Sequence, residues 1–110
     1  MRYQEKRQHA RLARNEKAYI RLLFRDGQQL ETQTDDISAG GFRAQVPVAL
    51  DQGAILHVVI EAGEPKIHFL LVAELRWCRP EGEGFAVGFE LVDARDSDYE
   101  VWQRFAISED

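Results

Sequence analysis

From Ile67 to Cys78 the chain alternates, with Ile67, Phe69, Leu71, Ala73, Leu75 and Trp77 on one side and His68, Leu70, Val72, Glu74 and Arg76 on the other. Side chains that alternate with period two belong to a strand, and the apolar middle of this one is expected to run through a core. The same pattern recurs on both sides of it. Ala18, Ile20, Leu22 and Phe24 alternate with Tyr19, Arg21, Leu23 and Arg25, and Asp26-Gly27 then predicts a two-residue type I′ hairpin. A second strand is expected over about Gln28 to Asp36, polar enough (Glu31, Thr32, Gln33, Thr34) to keep one face in water. Phe42 to Val46 reads as a short strand closed by Pro47, and Ile55 to Glu61 as a half-buried one between the turns Asp51-Gln52-Gly53 and Gly63-Glu64-Pro65. Pro80 to Gly84 should turn the chain into Phe85, Val87, Phe89 and Leu91. Ser97-Asp98-Tyr99-Glu100 has the form of a capping box opening a helix to about Ile107, with Val101, Trp102 and Phe105 as its apolar stripe. Short strands joined by tight turns and followed by one helix imply an antiparallel meander or Greek-key sheet, closed into a small barrel or folded as a sandwich.

At 110 residues the chain is expected to be one domain that buries roughly 60 to 70% of its unfolded surface, enough for a core without disulfides. No apolar run approaches the roughly 20 residues that span a bilayer, and Met1 to Lys6 lacks the apolar core of a secretory signal. These features, with a single cysteine, Cys78, predict a cytoplasmic protein without membrane insertion. Charge is unevenly spread. Residues 1 to 25 hold eight Lys/Arg against Glu5 and Glu16, a balance of +6, whereas the whole chain carries −5 and the remainder therefore −11. The expected organisation is a flexible basic arm over 1–16, a β domain with its helix over 17–107, and a tail over 108–110. An acidic body repels an extended polyanion, so the arm points to a small anionic ligand rather than to nucleic acid.

Two clusters carry candidate chemistry. Arg7 and Arg11 share a face in either a helix or a strand, and their planar forks match phosphate oxygens and the O6/N7 edge of guanine. Asp36 and Ser38, two residues apart at the end of a strand, offer a carboxylate and a hydroxyl on one face, and Gly40-Gly41 lets a ligand approach the main chain. Acceptors together with arginine forks suggest a guanine nucleotide. A purely structural reading also exists, in which Asp36 and Ser38 order a turn before the glycines.

The order Arg-x-x-x-Arg (Arg7, Arg11), then Asp-x-Ser-x-x-Gly (Asp36, Ser38, Gly41) about twenty-five residues later, then strands that include Ala73-Glu74-Leu75-Arg76-Trp77 and Phe85-Ala86-Val87-Gly88-Phe89, resembles the PilZ domain family. The resemblance runs from about Glu5 to about Phe105. It implies an all-β fold with a C-terminal helix, a six-stranded antiparallel barrel, and binding of the bacterial second messenger cyclic di-GMP. It further implies ligand contacts from Arg7, Arg11, Asp36, Ser38 and Gly41, with Lys6, Gly40, Trp77 and Arg79 beside them; Trp77 would pack against a base or belong to the core, and Arg79 would add charge. An arginine often precedes the first motif arginine in this family, and here Lys6 stands there, which leaves open whether one ligand molecule or a stacked pair binds.

No constellation for catalysis emerges. His9, His57 and His68 match no metal-ligand spacing, Cys78 lacks an obvious base, and Gly40-Gly41 leads into a strand and not a helix, so neither catalysis, a metal nor a cofactor is expected. The resulting expectation is a receptor, monomeric or a weak homodimer, whose ligand changes the arm and the surface met by a partner protein. A ligand-independent adaptor of the same fold and a nucleic-acid-binding barrel are the alternatives.

Overall fold

The computed structural model describes residues 17–107. Lys6, Arg7 and Arg11, the arm assigned to 1–16 and the tail at 108–110 lie outside the described residues. Six strands are present: β1 (Tyr19–Leu23), β2 (Gln29–Ile37), β3 (Gly41–Val46), β4 (Ile55–Ala62), β5 (Ile67–Glu81) and β6 (Gly84–Val92), followed by α1 (Tyr99–Ala106). β1-β2-β3 and β4-β5-β6 are two antiparallel meanders. Pairing of β3 with β6 and of β1 with β4 joins them into a closed barrel in the order β1-β2-β3-β6-β5-β4.

The alternation in the sequence is what fills this barrel. Ile20 and Leu22, Val58 and Ile60, Phe69, Leu71 and Leu75, and Val87 and Phe89 all point inward and are buried. Thr34 is the one buried polar side chain among the described residues, and its Oγ1 accepts a hydrogen bond from the Ala18 amide at 2.9 Å. That bond gives both the amide and the hydroxyl oxygen a partner, which lowers the cost of a hydroxyl in the core. Trp102 of α1 is fully buried against Phe69 and Phe105, with ring centroids 5.0 and 5.7 Å away, and plugs one side of the barrel.

Local geometry departs from expectation at four places, each for a physical reason. The β1–β2 turn has three residues and not two: the Gly27 amide donates to Phe24 O, Phe24 and Gln28 pair, and only Gly27 has positive φ, while the Asp26 carboxylate accepts from the Gln28 amide. An aspartate that bonds forward in this way favours a type I turn closed by a left-handed glycine. Pro80 lies within β5 opposite Phe85, so the turn is confined to Gly82-Glu83; beyond Leu75 the strand pairs with β6 alone, and a missing donor is tolerated at such an edge. The helix has Asp98 at its N-cap with no side-chain cap bond. The Asp98 carboxylate instead accepts from the Leu70 amide at 2.7 Å and the Asp98 amide donates to Leu70 O at 2.8 Å, while Ser97 Oγ donates to Ala94 O and accepts from the Tyr99 amide at 3.3 Å. Val101 is half exposed, because Trp102 and Ala106 face the barrel and Val101 lies to one side of that line.

Candidate functional site

Two β-bulges decide which side chains reach the outer surface. In β2, Thr34 pairs with Ala44 and Asp36 with the adjacent Arg43, so Asp35 is an extra residue. Thr34 points inward, and without the bulge Asp36 and Ser38 would point inward as well. With it, Ile37 enters the core while Asp36 and Ser38 face out. In β5, Leu75 pairs with Phe89 and Trp77 with the adjacent Gly88, making Arg76 the extra residue. This inverts the alternation read from the sequence: Cys78 turns toward the core and Trp77 turns outward, half-buried, so it is not a core residue.

The bulged strands flank β3 and β6, and the register aligns four residues in one row across the barrel wall. Asp36 is opposite Arg43, Arg43 opposite Gly88, and Gly88 opposite Trp77. The row therefore reads carboxylate, guanidinium, bare backbone and indole. Gly88 is required at its place, because a Cβ there would overlap Cε2 and Nε1 of the Trp77 ring. A groove of about 210 Å³ follows this row, lined by Asp36, Ser38, Gly41, Arg43, Arg76 and Trp77. Phe42 and Phe89, whose buried rings stack at 5.1 Å on the core side, also border it.

One end of the groove is the turn from Ser38 to Gly41. The Ser38 amide donates to Gly41 O at 2.9 Å; its hydroxyl accepts from the Gly40 amide at 3.3 Å and donates to Gly41 O at 3.4 Å. Those two hydroxyl contacts are long, so a ligand group can compete for the oxygen. A Cβ on Gly41 would overlap the Phe89 carbonyl, which fixes glycine there, whereas Gly40 faces open space. The hydroxyl thus has the turn-forming role of the structural reading and remains accessible from the groove.

Cations surround the groove in different states. Arg76 Nη1 lies 2.8 Å from Glu90 Oε1 and 3.5 Å from Glu74 Oε1. The Arg79 guanidinium carbon lies 4.7 Å from the Trp77 ring centroid, a cation–π contact. Arg43 is exposed and forms no ion pair with another described residue. Asp36, Ser38, Gly41 and Trp77 therefore meet in one groove, Arg79 borders it through Trp77, and Gly40 belongs to its turn. Arg43, Arg76 and Gly88 escaped the sequence reading. A glycine in the middle of an apolar strand is a legible sign of close approach, but the places of Arg43 and Arg76 depend on register and a bulge.

The chemistry of this groove is recognition: a flat aromatic surface, a carboxylate, a hydroxyl and arginine forks suit a planar, hydrogen-bonding, anionic ligand. Among the described residues no group of three His, Cys, Asp or Glu side chains is disposed to hold a metal ion. No helix among them is long and apolar enough to cross a membrane.

The family model for the PilZ domain matches residues 5–108. No curated protein matches the chain. Similar solved structures include the inhibitor of motility (MotI/DgrA) of Bacillus subtilis, with TM-score 0.67 at 18% identity over 94% of this chain. The PilZ domain of Escherichia coli YcgR with c-di-GMP has TM-score 0.63 at 17% identity, also over 94% of this chain. A structure of YcgR from the same organism in complex with c-di-GMP has TM-score 0.63 at 18% identity over 91%. The chain spans 50% of the MotI chain and 44% of that YcgR chain, but 91% of the isolated YcgR domain. At these identities the likeness is one of fold.

Proposed function

The chain belongs to the PilZ domain family, and on that premise we propose that it is a receptor for cyclic di-GMP which acts by binding and not by catalysis. The observation that carries this reading is the row Asp36, Arg43, Gly88 and Trp77, which brings Asp36 and Trp77, distant in sequence, into one groove. Asp36 and Ser38 offer acceptors to the N–H groups of a guanine, and Trp77 lies beside the base. Arg7 and Arg11 supply the forks for phosphate and for the O6/N7 edge, with Lys6 as a point charge near them. Gly41 and Gly40 leave room for the ligand against the turn. Binding brings the two arginines to the groove and so alters the surface that a partner protein meets, an ordering switch of the kind common in signalling domains.

Calorimetric titration with cyclic di-GMP, with GTP and linear diguanylate as controls, tests the reading. Saturable heat selective for the cyclic dinucleotide is expected, and its stoichiometry distinguishes one bound molecule from a stacked pair. The Arg7→Ala/Arg11→Ala double variant should lose that heat while keeping its far-UV spectrum. Undiminished affinity in the double variant would remove both arginines from the site, and no heat from the parent chain would favour the adaptor reading.

A further inference from the structure

The turn at the end of the groove is held from outside the barrel. Each carbonyl from Ala39 to Gly41 has a partner: Gly41 O accepts from the Ser38 amide, Gly40 O accepts from the Leu91 amide at 2.9 Å, and Ala39 O accepts two side-chain bonds from α1. The donors are Trp102 Nε1 at 3.2 Å and Gln103 Nε2 at 2.6 Å. A carbonyl has two lone pairs, so both sites on Ala39 O are taken by the helix. The first two partners belong to the turn and to β6, whereas the third is a separate element that can move without unpairing the sheet.

The helix itself is anchored at two points. Asp98 exchanges bonds with both backbone groups of Leu70, and the Trp102 ring packs between Phe69 and Phe105. Trp102 is fully buried, so its N–H is aimed by packing, while Gln103 is half-buried and reaches Ala39 O from the side. Ser38 and Gly41, on either side of the gripped carbonyl, line the groove directly. A shift of α1 therefore displaces the turn, and a ligand that fixes the turn favours one position of α1. Coupling between two sites is reciprocal by thermodynamic necessity.

We propose that Gln103 and Trp102 are positioning residues that set the Ser38–Gly41 turn, so that affinity for the cyclic dinucleotide depends on the docking of α1, and ligand binding is transmitted to that helix. The claim rests on the receptor reading for its ligand. The sequence motifs give no hint of it, because α1 carries no motif residue.

The test uses the full chain with Gln103→Leu, which keeps side-chain bulk and removes the donor. In the ligand-free variant the amide resonances of Gly40 and Gly41 should move, with the melting temperature little changed. Affinity for cyclic di-GMP should fall by about fivefold or more, the loss expected for one hydrogen bond. In the parent chain, added cyclic di-GMP should shift the Trp102 indole N–H resonance, which a helix serving only to stabilise the barrel would not show. Unmoved Gly40 and Gly41 resonances in Gln103→Leu, or parental affinity in that variant, overturn the proposal. A parent chain that binds no cyclic dinucleotide fails the receptor reading and leaves the positioning claim to the ligand-free spectra, where unmoved resonances overturn it.

Discussion

A methyl group on Gly88 has nowhere to go but into the Trp77 indole. Gly88→Ala should therefore lift Trp77 out of the groove wall without touching the buried side of the sheet. Tryptophan emission should change, and cyclic di-GMP affinity should fall by more than tenfold if the indole lies beside a base; unchanged affinity would place Trp77 outside recognition. Arg43 gives a second residue-scale prediction. Of the two arginines that line the groove it is the one with no acidic partner among the described residues, whereas Arg76 is held by Glu90 and Glu74. Arg43→Ala should cost about 1.5–3 kcal/mol of ligand binding, the range for a hydrogen bond to a charged group. Arg43→Lys should recover only part, because an ammonium cannot present a fork. Calorimetry of both variants decides whether the guanidinium touches the ligand.

At the scale of elements, the inward faces of β1 and β6 are legible as alternation, and the glycines of the turns at 27 and 82 as punctuation. The bulges at Asp35 and Arg76 are not, because an extra residue shows itself only against the neighbouring strand's register. Alternation alone therefore puts Trp77 on the core face, and it gives no sign that Arg43 and Arg76 lie beside Asp36 and Ser38. The helix start differs from the local pattern for a related reason. Ser97 and Glu100 fit the local pattern of a capping box, and Ser97 Oγ does accept from the Tyr99 amide, but the N-cap residue is Asp98, whose carboxylate and amide bond Leu70, nearly thirty positions away in the chain. Tertiary demand outweighs local preference there. Asp98→Ala should then act through docking of α1 to β5, leaving the Leu70 amide without its acceptor. A loss of about 1 kcal/mol is expected, which lowers the melting temperature of a domain this size by roughly 4–8 °C. A melting temperature within a degree of the parent would show that water replaces the carboxylate at no cost.

For the molecule as a whole, the distribution of charge and of core separates folding from binding. The strands of the closed barrel and the buried core of the described residues lie between Ala18 and Ala106. Residues 1 to 16, ahead of that core, carry five Lys/Arg against Glu5 and Glu16, a balance of +3, and the remainder from Lys17 onward carries −8. A barrel with an acidic remainder is a poor anion receptor without that cationic segment, because unscreened like charge opposes a phosphodiester within about 10 Å of it at moderate salt. A chain that begins at Lys17 should therefore still unfold in one cooperative transition, since the barrel's pairing closes on itself through β1 and β4. It should gain no thermal stability from cyclic di-GMP. The full chain, at a ligand concentration a hundredfold above Kd, should gain about 2.7 kcal/mol, or roughly 10 °C in melting temperature. Comparing the two proteins by thermal unfolding with and without ligand tests the division directly. Equal stabilisation of both would mean that the groove of β2, β3, β5 and β6 binds the dinucleotide with Arg43, Arg76 and Arg79 alone, and the arm would then be free for a different role.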